Sequence, residues 1–460
     1  MIARGVLAIL VLAIAACTPE PVEPESVEPK PEEEEFVMPE TPAPPVILAD
    51  EPDREERGVT TNLTQAAAGD AKLPSLFQTS AGRLAGTRED WREVRRPEIM
   101  ELLASQQFGR TPDIDVQVSF DVWDDGTPAY DGKAIRKQTV INLLNEQGEA
   151  AIDVVTYLPA DADGPVPVLL SLLFNPVVLS VDDDGVKEID GWITTDGDPR
   201  RVPASEARSF GKTDVAAYMD AGVGLAMVYY GQIEPDFDGG APLGVRALTG
   251  ARADDVRAPD EWGAIGAWAW GASRVVDYLE SDLSIDSRRI GVMGFSRLGK
   301  TALWAAAQDP RFAAVIDCCS GLGGQSLFRR NYGETIAHIV APGAYAYWFA
   351  PAFAGYADDP AAAPFDAHFL LAMSAPRPVL LINGHEDSWA DPYGAFLAAR
   401  AASPAWTLTG GEGFAQDAPF PDLDAHVGDD LRYFIHEGGH GSAPSDLGAI
   451  LDFLTSKLAR

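Results

Sequence analysis

A short apolar strand that runs into a helix around a serine constrains this chain more than any other feature. The strand pattern covers residues 289–293, the helix pattern covers residues 301–307, and Gly294, Ser296 and Gly299 lie between them. Small residues around the serine permit the strained turn that exposes a nucleophilic hydroxyl, and the helix N-terminus favours negative charge on an attacked carbonyl. The second glycine follows the serine by three residues, unlike in the common G-x-S-x-G. The pattern still indicates a serine nucleophile.

The strand patterns change character along the chain. Alternating patterns at residues 116–120, 139–143 and 151–157 indicate antiparallel strands. Continuous apolar runs follow at residues 166–172, 224–229, 289–293, 313–316 and 378–383. Helical stretches cover residues 88–107, 262–281, 388–401 and 446–458. This order predicts an α/β fold of three layers, with a mostly parallel central sheet and antiparallel N-terminal strands.

Composition and charge limit the domain count and the partners. The chain has 460 residues, 46% of them hydrophobic, and a formal net charge of -35. This apolar content is enough for one large catalytic domain, which is the simplest organisation. The acidic surface argues against nucleic acid or an anionic membrane face as a partner. We expect a monomer.

The first 17 residues have the pattern of a bacterial export signal. An apolar run at residues 6–16 follows Arg4 and ends in small residues before Cys17, as in a lipobox. The run is too short to span a membrane, so we expect cleavage before Cys17 and acylation of its thiol. The expected location is the bacterial envelope, at the outer membrane. A plain secretory signal, giving a periplasmic or secreted protein, is the alternative.

Proline and glutamate dominate residues 18–62. Residues 18–58 alone contain 14 acidic and 3 basic side chains. So little apolar surface cannot pack, and the like charges repel one another. We therefore expect a disordered tether over residues 18–62 and a catalytic domain over residues 73–460.

Six histidines limit the choice of a general base for Ser296. His440 lies in a glycine-rich segment after a strand pattern at residues 431–435 and before the last helix, which is where this architecture places its histidine. His436 is the nearest alternative. The other four fit less well: His338 and His368 lie in apolar helical surroundings, His426 lies in an acidic loop, and His385 accompanies the candidate acids.

Three carboxylates compete to orient His440, all of them after the strand pattern at residues 378–383. Asp387 lies where the turn should direct a side chain toward the serine, whereas Glu386 would face the other way. Asp391 has the position of a helix N-cap. We predict Asp387, with Glu386 as the alternative. Ionised, it would hold the imidazole tautomer and stabilise the imidazolium formed during attack.

Two cationic residues follow the nucleophile. The backbone amide of Arg297 can enter an oxyanion hole, and its guanidinium can add a charge-assisted hydrogen bond. Lys300 lies one helical turn after Ser296, on the same face, where its ammonium could donate to a ligand. For each residue, a solvated surface group is the alternative interpretation.

Neither a metal nor another cofactor is expected. Adjacent cysteines such as Cys318 and Cys319 rarely form a disulfide, because their geometry is unfavourable. No C-x-x-C motif or histidine pair at ligand spacing accompanies them.

Taken together, these motifs resemble bacterial glucuronoyl esterases of carbohydrate esterase family 15, whose elbow reads G-x-S-R-x-G-K. The resemblance covers about residue 73 to the C-terminus. It includes residues 229–237, 262–271, 320–324, 331–335 and 389–392. It implies an α/β-hydrolase fold, no metal, and hydrolysis of esters that join the 4-O-methyl-glucuronic acid of xylan to lignin alcohols.

The resemblance also implies roles for single residues. By position, Lys300 and Glu334 would bind sugar hydroxyls, Trp389 would flank the glucuronate, and Arg297 would stabilise the oxyanion. Many members carry a triad glutamate 23 residues after the nucleophile, where this chain has Cys319. A thiol cannot replace that carboxylate, which strengthens the prediction of Asp387.

Two other functions remain open. The first is another carbohydrate esterase of the same fold, such as an acetyl xylan or feruloyl esterase. The second is a non-catalytic surface lipoprotein that binds polysaccharide.

Overall fold

The computed structural model describes residues 48, 50–69, 71–194 and 198–459. The export-signal pattern with Cys17, and most of the expected tether, lie outside these residues. The strands of the described part are β1 (Arg54–Glu56), β2 (Val59–Thr61), β3 (Gln117–Ala129), β4 (Ala134–Leu144), β5 (Glu149–Pro159), β6 (Val166–Leu173), β7 (Gly191–Ile193), β8 (Arg200–Val202), β9 (Gly224–Tyr229), β10 (Ile285–Phe295), β11 (Phe312–Cys318), β12 (Val379–Gly384), β13 (Ala425–Gly428) and β14 (Leu431–His436).

The α-helices of the same part are α1 (Arg88–Asp90), α2 (Arg96–Leu103), α3 (Val177–Ser180), α4 (Val215–Asp220), α5 (Tyr230–Ile233), α6 (Ala264–Leu279), α7 (Arg297–Gln308), α8 (Ile336–Val340), α9 (Ala367–Ala372), α10 (Pro392–Thr409) and α11 (Pro444–Lys457). Two π-helical segments, Trp91–Arg95 and Ala104–Phe108, extend α1 and α2 into one helical stretch. None of the helices in the described residues combines the length and the apolar content needed to cross a bilayer.

Ten strands form one sheet in the order β13-β14-β12-β11-β10-β6-β9-β5-β4-β3. The six strands from β14 to β9 pair in parallel. β5, β4 and β3 continue the sheet in antiparallel pairs, and β13 adds an antiparallel edge next to β14. The predicted α/β architecture, mostly parallel with antiparallel N-terminal strands, is confirmed.

Helices cover both faces of the sheet, which explains the continuous apolar runs of its central strands. In β6, Val168 and Leu170 pack in a larger core with residues of α6 and α7. Leu169, between them, packs on the other face in a smaller core with residues of α4 and α11. Both faces of each central strand are therefore buried, and the polar chemistry is confined to the strand ends.

Ordered structure begins earlier along the chain than the sequence predicts. β1 and β2, inside the segment expected to be a tether, pair antiparallel across a turn at residues 57–58. Thr61 Oγ1 lies 2.9 Å from Nε2 of the buried His338. The amide of Gly333 donates to the carbonyl of Asn62 over 2.9 Å. These contacts hold the hairpin β1–β2 against the catalytic domain.

Two smaller differences concern segments near the candidate site. His426, expected in a loop, lies in the edge strand β13. The helix expected from residue 388 begins at Pro392, because Asp391 caps it by accepting a hydrogen bond from the amide of Gly394 over 2.9 Å.

Candidate active site

Ser296 occupies a strained turn between β10 and α7. Its φ of 55° and ψ of -125° place a non-glycine residue at positive φ, at a cost of about 1–3 kcal/mol. The Ser296 amide donates to the carbonyl of Cys318 over 2.7 Å, which ties the turn to the end of β11. The side chain is partly exposed at the carboxyl edge of the sheet. This conformation is the one expected of a nucleophile elbow.

Both glycines of the elbow are required by close contacts. A Cβ on Gly294 would lie 1.9 Å from the carbonyl oxygen of Leu298. A Cβ on Gly299 would lie 2.0 Å from Oδ1 of the buried Asp317. The second glycine therefore stands three residues after Ser296 because the first turn of α7 packs directly on a carboxylate of β11.

His440 and Asp387 form a hydrogen-bonded pair beside the elbow. Nδ1 of His440 lies 2.6 Å from Oδ2 of Asp387. The Asp387 side chain is 2% exposed, whereas that of His440 is 42% exposed. The amide of Ala390 also donates to Oδ1 of Asp387 over 3.2 Å. Because an ionised carboxylate only accepts, this contact places the proton on Nδ1 and leaves Nε2 of His440 free to act as a base.

The competing acids and the competing histidine have other surroundings. The Glu386 side chain is 68% exposed. Asp391 caps α10 and accepts from Nε of Arg330 over 2.9 Å. His436 is buried, with Nδ1 2.9 Å from the carbonyl of Glu437. None of these three side chains lines the cavity that Ser296 and His440 share.

Backbone contacts join the loop that carries Asp387 to the loop that carries His440. The amide of Gly438 donates to Nδ1 of His385 over 3.0 Å, and the amide of Glu386 donates to the carbonyl of Gly438 over 2.8 Å. A Cβ on Gly384 would lie 2.3 Å from the carbonyl oxygen of Gly439. The two loops can therefore approach closely enough for their side chains to bond.

Cys319 lies against this pair. One ligand atom each of Cys319, Asp387 and His440 fall within 4.8 Å of one another. Burial, together with the nearby Asp387, raises the pKa of the Cys319 thiol well above its usual value. The thiol is therefore neutral and cannot replace a carboxylate. A cysteine binds a metal as its thiolate, and Asp387 and His440 already bond to each other, so this group of three does not fit a metal ion.

One cavity of about 300 Å³ contains most of the candidate residues. It is lined by Ser296, Arg297, Lys300, Glu334, Trp389 and His440. Asp387 lies behind His440, and the lipidation candidate Cys17 lies outside the described residues. Residues that are far apart in the chain thus place a serine hydroxyl, an imidazole, two cations, a carboxyl group and an indole on the wall of one cavity.

Arg297 is held in place by Asp236, a residue to which the sequence assigned no role. The two side chains form an ion pair. Asp236 also accepts from the Tyr230 hydroxyl over 2.8 Å and from Trp348 Nε1 over 2.7 Å. Burial acts to lower the pKa of Arg297, but Asp236 and Tyr230 outweigh it and leave that pKa above its usual value. The guanidinium therefore remains a fixed cation, and its Nε–H has no hydrogen-bond partner among the described residues.

Lys300 and Glu334 present opposite charges to the cavity. Burial lowers the pKa of Lys300, and Glu334 acts against that shift. Burial raises the pKa of Glu334, while Lys300 and Arg57 act to lower it. Among the described residues, no carboxylate lies within 4.0 Å of Lys300 Nζ. Both groups are thus able to bond to a polar ligand.

Five further residues of the cavity carried no usable signal in the sequence. Aromatic rings of Tyr345 and Trp348 form one wall, and the hairpin β1–β2 contributes Arg54, Glu56 and Arg57. A charged hairpin in an acidic, proline-rich segment has the composition of a linker, so only its contacts reveal its position.

A strained serine and a histidine–carboxylate pair at the carboxyl ends of a mostly parallel sheet define an α/β-hydrolase. The family model described as "Glucuronyl esterase, fungi" matches residues 257–410. The chain is 34% identical over 398 residues to carbohydrate esterase MZ0003 from an unknown prokaryotic organism, a match that covers 85% of this chain and 91% of the relative.

Two solved structures are also similar along most of the chain. A glucuronoyl esterase from Solibacter usitatus has 38% identity and a TM-score of 0.78, and the match covers 85% of this chain and 99% of that one. A promiscuous CE15 esterase from a marine bacterial metagenome has 33% identity and a TM-score of 0.78, covering 86% and 100%. The chain belongs to the glucuronoyl esterases of carbohydrate esterase family 15 and is a carboxylic ester hydrolase.

Proposed function

We propose that this protein hydrolyses esters of glucuronic acid and 4-O-methyl-glucuronic acid, such as the esters that join lignin to glucuronoxylan. Ser296 is the nucleophile, His440 the base and Asp387 the group that orients the base. The observation that carries the proposal is the 2.6 Å contact of His440 with Asp387, beside a strained Ser296 on the same cavity as Lys300. Membership of the glucuronoyl esterase family supports the substrate class.

The reaction proceeds in two steps through an acyl-enzyme. Nε2 of His440 takes the proton of the Ser296 hydroxyl, and Oγ forms a bond to the ester carbonyl carbon. The oxyanion accepts hydrogen bonds from backbone amides and from Arg297. When the carbon–oxygen bond to the alcohol breaks, His440 returns the proton to the leaving oxygen. Water then attacks the acyl carbon as His440 takes one of its protons. The bond from that carbon to Oγ of Ser296 breaks, His440 returns the proton to Oγ, and the uronic acid leaves and ionises.

The remaining cavity residues fit a sugar acid. The Lys300 ammonium donates to ring hydroxyls, and the Glu334 carboxylate accepts from them. The indole of Trp389 flanks the apolar face of the pyranose. The amide of Glu334 donates to the carbonyl of Trp389 over 2.9 Å, so these two residues hold a constant separation at one side of the cavity.

Hydrolysis of benzyl glucuronate tests the catalytic assignment. We expect Ser296→Ala to lower kcat/KM by at least about 10³-fold, because the covalent step is lost. A fluorophosphonate probe should label the wild type and not the variant. Circular dichroism of both proteins serves as the control for folding. Wild-type turnover by the variant, or a wild type that neither turns over nor reacts with the probe, would contradict the proposal.

A second candidate, a general esterase of xylan decorations, is favoured by the similarity to a relative described as promiscuous. Lys300→Met and Glu334→Gln distinguish the two. If the cavity selects a uronate, both variants lose kcat/KM on methyl glucuronate by about 10–100-fold more than on 4-nitrophenyl acetate, which has no sugar hydroxyls. An equal loss on both substrates would favour the general esterase.

Export and lipid attachment at Cys17 are the proposed route to the envelope, supported by the apolar run and small residues before this cysteine. Cells that express the full chain and take up an alkyne-labelled palmitate should label the protein, and Cys17→Ser should abolish the label. A secreted, unlabelled wild-type protein would contradict the anchor.

A further inference from the structure

The hairpin β1–β2 places two arginines on the wall of the catalytic cavity. Arg54 and Arg57 both line it, beside Glu334 and Trp389. The guanidinium of Arg57 lies 4.3 Å from the ring centroid of Tyr345, and its Nη2 donates to that hydroxyl over 2.9 Å. The guanidinium of Arg54 lies 5.5 Å from the ring centroid of Trp389. Aromatic faces therefore orient both cations.

The hairpin is fixed relative to the sugar-binding side of the cavity. Thr61, in β2, contacts Nε2 of the buried His338. The His338 ring meets Trp389 edge to face, with centroids 5.1 Å apart. One contiguous set of contacts thus runs from the hairpin through His338 to the indole of Trp389, and it holds the backbone of the hairpin beside the cavity.

The two arginines interact with the described carboxylates only at a distance: Arg57 acts to lower the pKa of Glu334 without forming an ion pair. Among the described residues, neither has a carboxylate within the 4.0 Å of an ion pair, and both are exposed. Glu56 is the one carboxylate of β1 among the residues that line the cavity. Arg297, by contrast, is paired with Asp236. Two unpaired cations thus face the cavity in a chain whose formal net charge is -35.

A neutral glucuronate ester gives such cations no charged partner. A guanidinium is suited to a carboxylate, which it binds through parallel hydrogen bonds. We propose that Arg54 and Arg57 form a second subsite that binds a free carboxylate of the substrate, next to the ester that is cleaved. This subsite rests on the proposed function and selects esters on a glycan that also carries a free uronic acid nearby over esters without such a neighbouring carboxylate.

The test compares two disaccharides of glucuronic acid with the full-length protein. One has a methyl ester on one unit and a free carboxylate on the other, and the second has methyl esters on both. In about 20 mM salt we expect the wild type to prefer the first by about 3–10-fold in kcat/KM, through a lower KM. At about 0.5 M salt the preference should disappear, because exposed charges are screened.

Charge variants of the hairpin then test whether the two arginines cause the preference for the disaccharide with a free carboxylate. In Arg54→Gln/Arg57→Gln the ratio of the two kcat/KM values should fall toward one. Glu56→Gln, a matched control on the same strand, removes a negative charge and should keep or increase the ratio. A ratio of one for the wild type at low salt, or an unchanged ratio in the double variant, would overturn the subsite.

The result separates this inference from the proposed function. If the wild type hydrolyses neither disaccharide ester nor methyl glucuronate, the proposed function fails. If it hydrolyses both disaccharides equally well, only the subsite fails. Should the double variant fold poorly, the salt dependence of the wild-type preference still decides, since a preference that persists at high salt contradicts an exposed cationic subsite.

Discussion

Two neighbouring strands, β11 and β12, end beside the same histidine but supply different chemistry. β11 leads into Cys319 and β12 leads into Asp387, and one atom of each lies within 4.8 Å of a His440 nitrogen. Only Asp387 bonds to the imidazole, over 2.6 Å. Both strand ends therefore lie close enough to contact the imidazole, and only the side chain after β12 is one that hydrogen-bonds to it.

The carboxylate that β11 does carry faces another part of the site. Asp317 is buried under the elbow, where it accepts from the Ser320 hydroxyl over 2.5 Å and touches the first turn of α7 at Gly299. Burial raises its pKa to about 7. One strand thus contributes a buried acid to the support of the nucleophile, and its neighbour contributes an acid to the base. The two acids therefore differ in function because their side chains point to different neighbours: Asp317 toward Ser320 and Gly299, and Asp387 toward His440.

Loss of the carboxylate that follows β12 should reduce activity strongly. We expect Asp387→Asn to lower kcat/KM on benzyl glucuronate by about 10³–10⁴-fold, because an amide favours the wrong imidazole tautomer and cannot stabilise the imidazolium. The matched control is Glu386→Gln, on an exposed carboxylate, which should change kcat/KM by less than about 2-fold. A larger loss in the control would assign the acid to Glu386.

A carboxylate moved to β11 tests whether that strand end is competent. In the Asp387→Asn background, Cys319→Glu should restore kcat/KM by about 100-fold, because the new carboxylate starts from a position next to His440. Cys319→Gln in the same background has nearly the same volume and no charge, and should restore nothing. Rescue by the glutamine, or no rescue by the glutamate, would show that a carboxylate after β11 cannot replace the one after β12.

The buried acid of β11 should appear in the pH dependence of stability. The pKa of Asp317 is raised from 3.8 to about 7, so the unfolded chain ionises this group first, and its stabilising contribution is lost as the pH rises toward 7. Between pH 5 and pH 8 we expect the wild type to lose about 2 kcal/mol more unfolding free energy than Asp317→Asn. Urea unfolding at both pH values measures it. Parallel pH profiles would show that Asp317 is ionised throughout.

The smallest effect concerns the thiol itself. We expect Cys319→Ala to change kcat/KM by less than about 3-fold and to cost about 1 kcal/mol of stability, because a neutral buried sulfur contributes packing and no charge. Steady-state kinetics and thermal unfolding measure the two quantities. A loss comparable to that of Asp387→Asn would place the thiol in the reaction and remove the contrast between the strand ends.

Much of the fold could be predicted from local patterns. The strand at residues 224–229 and the helices around residues 262–281 and 301–307 follow from apolar runs and periodicity, and the structure has β9, α6 and α7 there. The hairpin β1–β2 could not be predicted, because its three-residue strands have no apolar periodicity and lie in a charged segment. Its order depends on contacts such as Thr61 with His338, which are 277 residues apart.

Local sequence accounts for the elbow, because Gly294, Ser296 and Gly299 lie within one turn whose conformation depends on small neighbours and a following helix. The packing of the sheet and of the hairpin β1–β2 determines which carboxylate bonds to His440 and which cations line the cavity. Asp387 and His440 are 53 residues apart, and their contact exists only because β12 and β14 are parallel neighbours. Hydrogen bonds act over about 3 Å, so side chains that are distant in the chain can bond only where the packing of the sheet brings them together. A local sequence pattern does not contain that information.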